Sequence, residues 1–379
     1  MEKQHLNILM VEDDSDDVCI VRDLLGDRWD GSFQLDHVEL LKDGLTRLGA
    51  GSFDAVLLDL NLPDSTGLDT LSALFADAGD VPVVVLTGHN DEETAMKAVQ
   101  AGAQDYLVKG LVDGHSLVRS IRYAIERSRR QRAEEAMREA TKEFRVAGEI
   151  QQRLFPLESP KLDGFDIAGA VYPATATAGD YFDYIPMLND CVGIVVGDVS
   201  GHGMGPALLM SETRACLRTL TQSYFDVGDI LTRANRLLAA DTDDFHFVTL
   251  AMARLDPLTH TLVYAGAGQR GYLLDDEDVT VTLDSTSAPL GVWADTIVPT
   301  APPRVLESGE IVTLFTDGVA EAESPDKVRF GVARALEIIR TERNRPAATI
   351  VAKIHRQITD FCRNQPQRDD ITIVVVKVE

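Results

Sequence analysis

The chain has 379 residues, which is enough for two or three domains that each bury a core of their own. Its 61 acidic residues outnumber its 36 lysines and arginines, and the resulting net charge of -25 repels nucleic acid and anionic membranes alike. The composition therefore disfavours a DNA-binding output domain and a role at a membrane surface.

Cysteine usage and hydropathy predict a protein of the cytoplasm. The 4 cysteines are scattered without CxxC spacing, so we expect reduced thiols and neither a disulfide framework nor a zinc site. The stretch MEKQHLNILMVEDD turns acidic after a short apolar run, which is unlike a signal peptide. No segment approaches the roughly 20 unbroken apolar residues of a membrane span.

From Leu6 to about Gly114, short apolar runs alternate with amphipathic segments. The runs are LNILMV, FDAVLLDL, VPVVVLTG and DYLVK, and a helical stretch from about Ser15 to Leu25 follows the first of them. Such alternation is typical of βα units on a parallel sheet. We predict a doubly wound α/β domain over residues 1–125, with a five-stranded parallel sheet of the flavodoxin-like kind.

Residues 116–155 predict a long helix that links two domains. Neither Gly nor Pro occurs from Ser116 to Ala147, and the composition shifts to Arg, Glu, Ala and Gln. One heptad seam, which Gln151 interrupts, is formed by Ala133, Met137, Ala140, Phe144, Ala147 and Leu154. The seam favours a parallel homodimer through a coiled coil, and a surface helix packed on its own domains is the alternative.

Residues 148–379 show a different pattern, in which strand-like runs are interspersed with helical segments at about 205–222, 228–240 and 346–364. The strand-like runs are FDIAGAVY, CVGIVVGDV, FVTLAMARL, HTLVYAGAG, DVTVTLD, EIVTLFTDGV and ITIVVVKV. The DPLTH junction between two of them predicts a hairpin turn. Mostly antiparallel strands with paired helices predict an α+β sandwich flanked by helices.

Polar residues follow the predicted strands of the N-terminal domain. Glu12 and Asp13 come after the first strand, Asp59 follows FDAVLL, and Thr87 and Lys109 end two later strands. The carboxyl ends of parallel strands converge on one crevice, where clustered carboxylates favour Mg2+. A hydroxyl and an ammonium beside that cation suit a phosphoryl group. Singly, an acid after a strand is more often a helix N-cap, so the prediction depends on the whole set.

In this order, these residues resemble the receiver domain of two-component response regulators over about residues 5–125. The resemblance implies that Asp59 accepts a phosphoryl group from a histidine kinase or a phosphotransfer protein. It also implies that Glu12, Asp13 and Asp59 hold Mg2+ together with the backbone carbonyl of Asn61.

The same resemblance assigns the remaining receiver residues. Thr87 and Tyr106 would be the switch pair, and Lys109 would bind a phosphoryl oxygen. Gly110 follows Lys109, whereas the family usually has proline there, so the loop that leads to the last helix is expected to differ.

Aspartates recur at turns beside the apolar runs of the C-terminal domain. They stand in AGDYFD (Asp180), VVGDVSGHG (Asp198), LFTDGVAE (Asp317) and QRDDITIVVV (Asp369 or Asp370). Asp-Gly after a strand is above all a turn signal, but four such motifs in one domain indicate a site. Since no Gly-x-Ser-x-Gly elbow is present, we expect activated water and two Mn2+ or Mg2+ ions.

The motif order GDYFD, GDVSGHG, TDGVAE and DDIT closely resembles the PPM-type metal-dependent serine/threonine protein phosphatases, over roughly residues 148–379. The similar branch includes the sporulation stage II E phosphatase and the stress-regulating phosphatases of the sigma-B pathway. The resemblance implies a phosphoserine or phosphothreonine protein substrate, most often an anti-sigma-factor antagonist.

By this resemblance, Asp198 would bridge both metal ions and the carbonyl of Val199 would bind one of them. Asp317 and Asp369 would hold the second ion, and Asp180 would hold the first ion or its waters. All are oxygen ligands, as Mn2+ and Mg2+ require.

Two assignments at this site stay open. Asp369 is the expected ligand with Asp370 in support, and the reverse remains an alternative. His202 either donates a proton to the phosphate or the departing serine oxygen, or orders the glycine turn, and the second role is favoured.

The sequence also leaves two other functions open. A phosphatase-like domain that has lost catalysis would be an adaptor that binds a regulatory protein under receiver control, but all four metal aspartates are present. A nucleotide-binding kinase output would use GDVSGHGMG as a phosphate loop, but that stretch lacks the Lys-Ser/Thr ending and the GxGxxG spacing. An active phosphatase is the favoured interpretation.

Overall fold

The computed structural model describes residues 5–77, 79, 81–88, 92–242, 246–275, 277 and 279–379. The chain divides into two units, Met1–Ala140 and Thr141–Glu379, and a single long helix contributes to both. Among the described residues, no helix is both long and apolar enough to cross a membrane.

The first unit is a parallel sheet between two layers of helices, as predicted. Its elements are β1 (Leu6–Val11), α1 (Ser15–Arg28), β2 (Phe33–Val38), α2 (Leu41–Ala50), β3 (Ala55–Asp59), β4 (Asn61–Leu62), β5 (Ser65–Thr66), α3 (Leu68–Asp77), β6 (Val83–Thr87), α4 (Glu92–Gln100) and β7 (Asp105–Val108). The main sheet has the order β2-β1-β3-β6-β7, with every neighbouring pair parallel. Strands β1, β3 and β6 are almost wholly buried, because helices cover both faces of a parallel sheet.

Helix α5 (Gly114–Gln152) has 39 residues and contains most of the predicted linker. Its predicted seam is partly wrong: the helix ends at Gln152, so Leu154 lies in the following turn. On the seam, Met137 is 73% exposed and Phe144 is 41% exposed, whereas Gln151 is buried. Gln151, which interrupts the apolar seam, is therefore buried within the second unit.

The second unit is a sandwich of two five-stranded antiparallel sheets. Its elements are β8 (Phe165–Tyr172), β9 (Tyr181–Pro186), a 3-10 turn (Leu188–Asp190), β10 (Val192–Val199), α6 (Met204–Leu220), α7 (Val227–Asp241), β11 (Val248–Asp256), β12 (Thr261–Ala267), β13 (Gly271–Leu274), β14 (Thr280–Leu283), β15 (Arg304–Val305), β16 (Ile311–Phe315), α8 (Asp317–Glu321), α9 (Val332–Thr341), α10 (Ala347–Phe361) and β17 (Ile371–Val378). One sheet has the order β15-β12-β11-β10-β9 and the other β14-β13-β16-β17-β8.

The layers of this sandwich follow from alternating side chains. Inward-facing residues of both sheets, such as Val196 and Val374, share one buried core. The outer face of the second sheet packs on α9 and α10 through Ile373 and Ile354, while α6 and α7 pack on the first sheet. The predicted α+β sandwich, its three long helices and the hairpin between β11 and β12 are confirmed.

A buried ion pair joins β9 to α6. Asp183 is fully buried, and its carboxylate accepts hydrogen bonds from Arg218 Nε and Nη2, both at 2.7 Å. The hydroxyl of Tyr181 and the amide of Tyr184 also donate to it, at 2.8 and 2.9 Å. The buried Asp183 carboxylate therefore accepts four hydrogen bonds in place of those it would make with water. The two from Arg218 fix β9 against α6.

We expect Asp183→Ala to lower the free energy of unfolding of the second unit by about 3–5 kcal/mol, because it leaves a partly buried guanidinium without its partner. Urea unfolding in a Trp29→Phe background measures this, since Trp293 then reports the second unit alone. Asp360→Ala is the matched control, because Asp360 is exposed and lies 3.9 Å from Arg356. Equal losses in both variants would contradict the structural role of Asp183.

Candidate functional sites

Three carboxylates meet at the carboxyl edge of the parallel sheet. Glu12 and Asp13 follow β1, Asp59 ends β3, and one oxygen atom of each lies within 4.8 Å of the others. Glu12 is fully buried and Asp59 nearly so, while Asp13 is exposed. The donor set is all oxygen and open on one side, which fits a hard divalent cation with room for further ligands.

Lys109 is the cation that the chain itself supplies to this cluster. Its Nζ lies 2.7 Å from a Glu12 oxygen and 3.0 Å from Asp17, and it also contacts Asp59. Burial lowers the pKa of Lys109, but the hydrogen bonds to Asp59 and Glu12 outweigh it and raise that pKa above its usual range. Burial raises the pKa of Glu12 to about 7, against the opposing hydrogen bond from Lys109. Asp17 was missed by sequence reasoning.

The backbone and two hydroxyl-bearing residues complete this rim. The amide of Asn61 donates to Asp59 Oδ1 at 2.9 Å, and the amide of Lys109 donates to the carbonyl of Thr87 at 2.7 Å. The Thr87 hydroxyl is buried without a hydrogen-bond partner among the described residues, and Tyr106 is half-buried. Gly110 has φ +79°, a conformation closed to proline, so this loop differs from the usual family pattern for a physical reason.

The predicted aspartates of the second unit come from separate elements that end at one edge of the sandwich. Asp180 directly precedes β9, Asp198 lies near the end of β10, Asp317 begins α8 after β16, and Asp369 lies just before β17. They affect one another: burial and then the charges of Asp317 and Asp369 raise the pKa of Asp198 to about 7. Burial and the charge of Asp198 raise the pKa of Asp180 well above its usual range.

The raised pKa values of these aspartates bear on whether the cluster could bind metal ions. Burial and the charge of Asp369 also raise the pKa of Asp317. Mutually repelling carboxylates are stable in their ionised form only when cations neutralise them, and carboxylate oxygens are ligands that Mn2+ and Mg2+ prefer. The residues present therefore fit divalent metal ions.

The Thr316 hydroxyl holds Asp180 in place, and backbone amides hold Asp370. The Thr316 hydroxyl donates to Asp180 Oδ2 at 2.7 Å and accepts from the amide of Thr372 at 3.1 Å. The Asp370 carboxylate accepts from the amides of Ala174 and Gly179, both at 2.7 Å. Asp370 thus fastens the loop that presents Asp180, a geometry consistent with a supporting role.

The loop GDVSGHGMG leads from β10 into α6. Gly201 and Gly203 have φ of +92° and +96°, which glycine adopts without strain. His202 between them is exposed, and neither of its two expected roles is decided. Val199 lies at the end of β10, where its amide donates to the carbonyl of Gly179 at 3.3 Å.

The end of α5 contacts the loop that precedes Asp180, a contact that the sequence did not predict. The Gln151 side chain donates to the carbonyl of Ala178 at 2.7 Å and accepts from its amide at 2.8 Å. A Cβ at Gly148 would overlap the carbonyl oxygen of Ala176, so only glycine allows this approach. The helix therefore contacts the chain two residues before Asp180.

We expect Asp370→Ala to lower the free energy of unfolding of the second unit by about 2–4 kcal/mol, because it leaves buried amides unsatisfied. Asp369→Ala, which removes an exposed carboxylate next to it, should cost less than about 1 kcal/mol. The Trp293 unfolding assay measures both. An equal loss of unfolding free energy in both variants would contradict the role of Asp370 in holding the loop before Asp180.

Comparisons with known proteins match each of the two units to a known family. Residues 8–122 match the response regulator receiver domain, and residues 189–379 match stage II sporulation protein E (SpoIIE). Asp180 lies before the second match, which still contains the other aspartates of the cluster.

The individual relatives share less than a third of their residues with the chain in the matched segments. The chain is 27% identical to Protein IcfG of Synechocystis over 62% of this chain and 41% of that protein. It is 28% identical to phosphoserine phosphatase RsbU of Bacillus subtilis over 49% of this chain and 56% of that protein. The matches thus span about half the length of these curated relatives.

A solved structure shares the fold of the second unit. The SiaA-PP2C domain of Pseudomonas aeruginosa has a TM-score of 0.58 and 22% identity, covering 64% of this chain and 99% of that domain. At that identity the likeness concerns the fold alone. The SpoIIE match spans half of the sequence, so the chain belongs to the stage II sporulation protein E family and carries a response regulator receiver domain before the matched segment.

Proposed function

We propose that the chain is a response regulator whose receiver controls a metal-dependent protein serine/threonine phosphatase. The observation that carries the proposal is the convergence of Asp180, Asp198, Asp317 and Asp369 from four elements onto one edge of the sandwich. The name of RsbU, a phosphoserine phosphatase, supports the reaction class.

In this proposal the aspartates hold two Mn2+ or Mg2+ ions. Asp198 would bind both ions, the Val199 carbonyl would bind one, Asp317 and Asp369 would hold the second, and Asp180 would hold the first or its waters. When bound, such ions lower the pKa of water to give a nucleophile near neutral pH and neutralise phosphate charge.

The protein's own groups keep these ligands in place. Thr316 fixes one oxygen of Asp180, and Asp370 fixes the loop before it through two backbone amides. Ligands held by such partners do not need to reorganise during the reaction. His202 is placed on an exposed glycine turn, where it can either reach the leaving serine oxygen or order the turn.

The receiver part of the proposal assigns Asp59 as the phosphoryl acceptor. An oxygen of Asp59 would attack the phosphorus of a phosphohistidine in a kinase or phosphotransfer protein, and the imidazole nitrogen would leave. Glu12, Asp13 and the carbonyl of Asn61 would hold Mg2+ with Asp59. The Lys109 ammonium, already against Asp59, would pair with a phosphoryl oxygen.

Thr87 and Tyr106 are the proposed switch pair of the receiver. The unpartnered hydroxyl of Thr87 is available to a phosphoryl oxygen on Asp59. Tyr106 lies on the neighbouring strand β7, where Val85 of β6 is its partner in register. Val85 lies two residues before Thr87 on β6, so the two proposed switch residues lie on neighbouring strands.

Helix α5 is the proposed route from receiver to phosphatase. It is continuous from the first unit to Gln151, which bonds both backbone groups of Ala178. The exposed Met137 and Phe144 support a parallel homodimer through the middle of the helix, because large apolar side chains gain from mutual burial.

The proposed substrate is a phosphoserine or phosphothreonine protein, most often in this branch an anti-sigma-factor antagonist. That step depends on resemblance alone. A cytoplasmic location is part of the proposal, because all four cysteines are free thiols.

We expect the full chain with Mn2+ to hydrolyse p-nitrophenyl phosphate, and Asp198→Asn to lower kcat/KM more than about a hundredfold, since a direct ligand matters more than its outer partners. Asp360→Asn, an exposed position, is the matched control and should retain the wild-type rate. An inactive wild type with every divalent metal would support the adaptor alternative instead.

We expect acetyl phosphate to change the phosphatase rate of the wild type and to leave Asp59→Ala unaffected, because only Asp59 takes up the phosphoryl group. Gln151→Ala should still be phosphorylated, as mass spectrometry would show, but should respond less. Gln131→Ala, an exposed glutamine of the same helix, is the control. Identical rates in all four proteins with and without the donor would refute the coupling.

A further inference from the structure

A cleft of about 440 Å³ opens beside Asp369 in the second unit. Its walls are α8, the last turn of α10 and the loop before β17, and its floor includes Ala322, Ile358 and Cys362. The volume lies in the range of sites that bind small ligands or single side chains. None of the roles proposed above uses this cleft.

The wall that carries Asp369 is held in place before any ligand arrives. The Gln367 side-chain amide donates to the carbonyl of Asp369 at 2.7 Å and to that of Tyr172 at 2.5 Å. The ring of Tyr172 stacks on that of His355, with centroids 3.5 Å apart. A preformed wall spares a ligand the entropic cost of ordering it.

Two arginines stand on the rim of the cleft, where each is paired with a glutamate. Arg368 pairs with Glu323 at 2.5 Å, and Arg329 pairs with Glu321 at 2.8 Å. The arginine side chains are 72% and 63% exposed, so these pairs add little stability. A guanidinium can therefore exchange its partner for a carboxylate of a ligand, which it can bind in a bidentate manner.

The cleft is continuous with the metal-ligand cluster. Asp369 belongs to both, and Gly318, which lines the cleft, directly follows Asp317. Since consecutive Cα atoms are about 3.8 Å apart, the one or two residues beside a phosphoserine at the cluster would reach the cleft.

We propose that this cleft binds the segment that flanks the phosphoserine of the protein substrate. An aliphatic side chain of that segment occupies the floor, and an acidic side chain pairs with Arg368. The inference rests on the proposed phosphatase function and adds to it a recognition of the sequence around the phosphoserine.

The test uses the full chain with Mn2+ and short synthetic phosphoserine peptides that differ only in the two residues after the phosphoserine: Leu-Glu, Gly-Glu or Leu-Lys. p-Nitrophenyl phosphate, which has no flanking residues, is the reference. We expect kcat/KM to be about tenfold higher for Leu-Glu than for Gly-Glu, because an aliphatic side chain gains a pocket. The advantage over Leu-Lys should be about threefold, as for an exposed ion pair.

Two variants test whether the peptide preferences arise in the cleft. Thr359→Trp places a large ring in the cleft and should remove the preference for Leu over Gly, relative to the reference substrate. Arg368→Glu should reverse the preference for Glu over Lys. Ala352→Trp, on an exposed position of α10 outside the cleft, is the control and should keep both preferences.

The outcomes separate the two proposals. A wild type that hydrolyses the reference but treats the peptides equally, or hydrolyses none of them, overturns the cleft inference. So does an unchanged Leu preference in Thr359→Trp, which would leave a small molecule or a second copy of this chain as occupant. Arg368→Glu alters only the surface, so it decides the question even if the tryptophan variant misfolds. A wild type inactive on the reference rejects the phosphatase function, and the cleft inference with it.

Discussion

Buried carboxylates repel one another, and both units of this chain are arranged around that constraint. At three strand ends of the sandwich, the sequence places an aspartate, Asp180, Asp198 or Asp317, where burial and neighbouring charges raise its pKa and favour the protonated form. Such a site is unfavourable for folding unless cations arrive. Hydrogen bonds from Thr316 to Asp180 and from backbone amides to Asp370 hold this arrangement in place.

The two units meet this constraint differently. In the first unit, Lys109 neutralises part of the charge of Glu12 and Asp59, so the proposed magnesium site would need a single divalent ion. In the second unit, the groups around Asp180 are the hydroxyl of Thr316 and other acids, and Asp370 is itself satisfied by amides. More positive charge would therefore have to come from outside the chain, as the proposal of two metal ions supplies.

Sequence patterns predicted both fold classes and the positions of the acidic clusters, because strand ends and glycine turns are local signals. They missed β2, a half-buried edge strand with polar residues, and β9, whose aspartates resemble a turn. The seam on α5 was extended to Leu154 because heptad spacing continues past the point where Gln151 docks. The Asp183 ion pair joins residues 35 positions apart, so no local pattern could reveal it.

The contact between α5 and the loop before Asp180 is large enough to control a metal site. Gln151 makes two hydrogen bonds to Ala178, and each is worth about 0.5–1.5 kcal/mol when both partners are buried. Breaking both changes an equilibrium between two loop positions by about five- to 150-fold, the usual range of allosteric coupling. At Gly148 the helix lies so close to the Ala176 carbonyl that no Cβ would fit between them. The proposed regulation through α5 would therefore act on these two hydrogen bonds and would need only a small change in the helix.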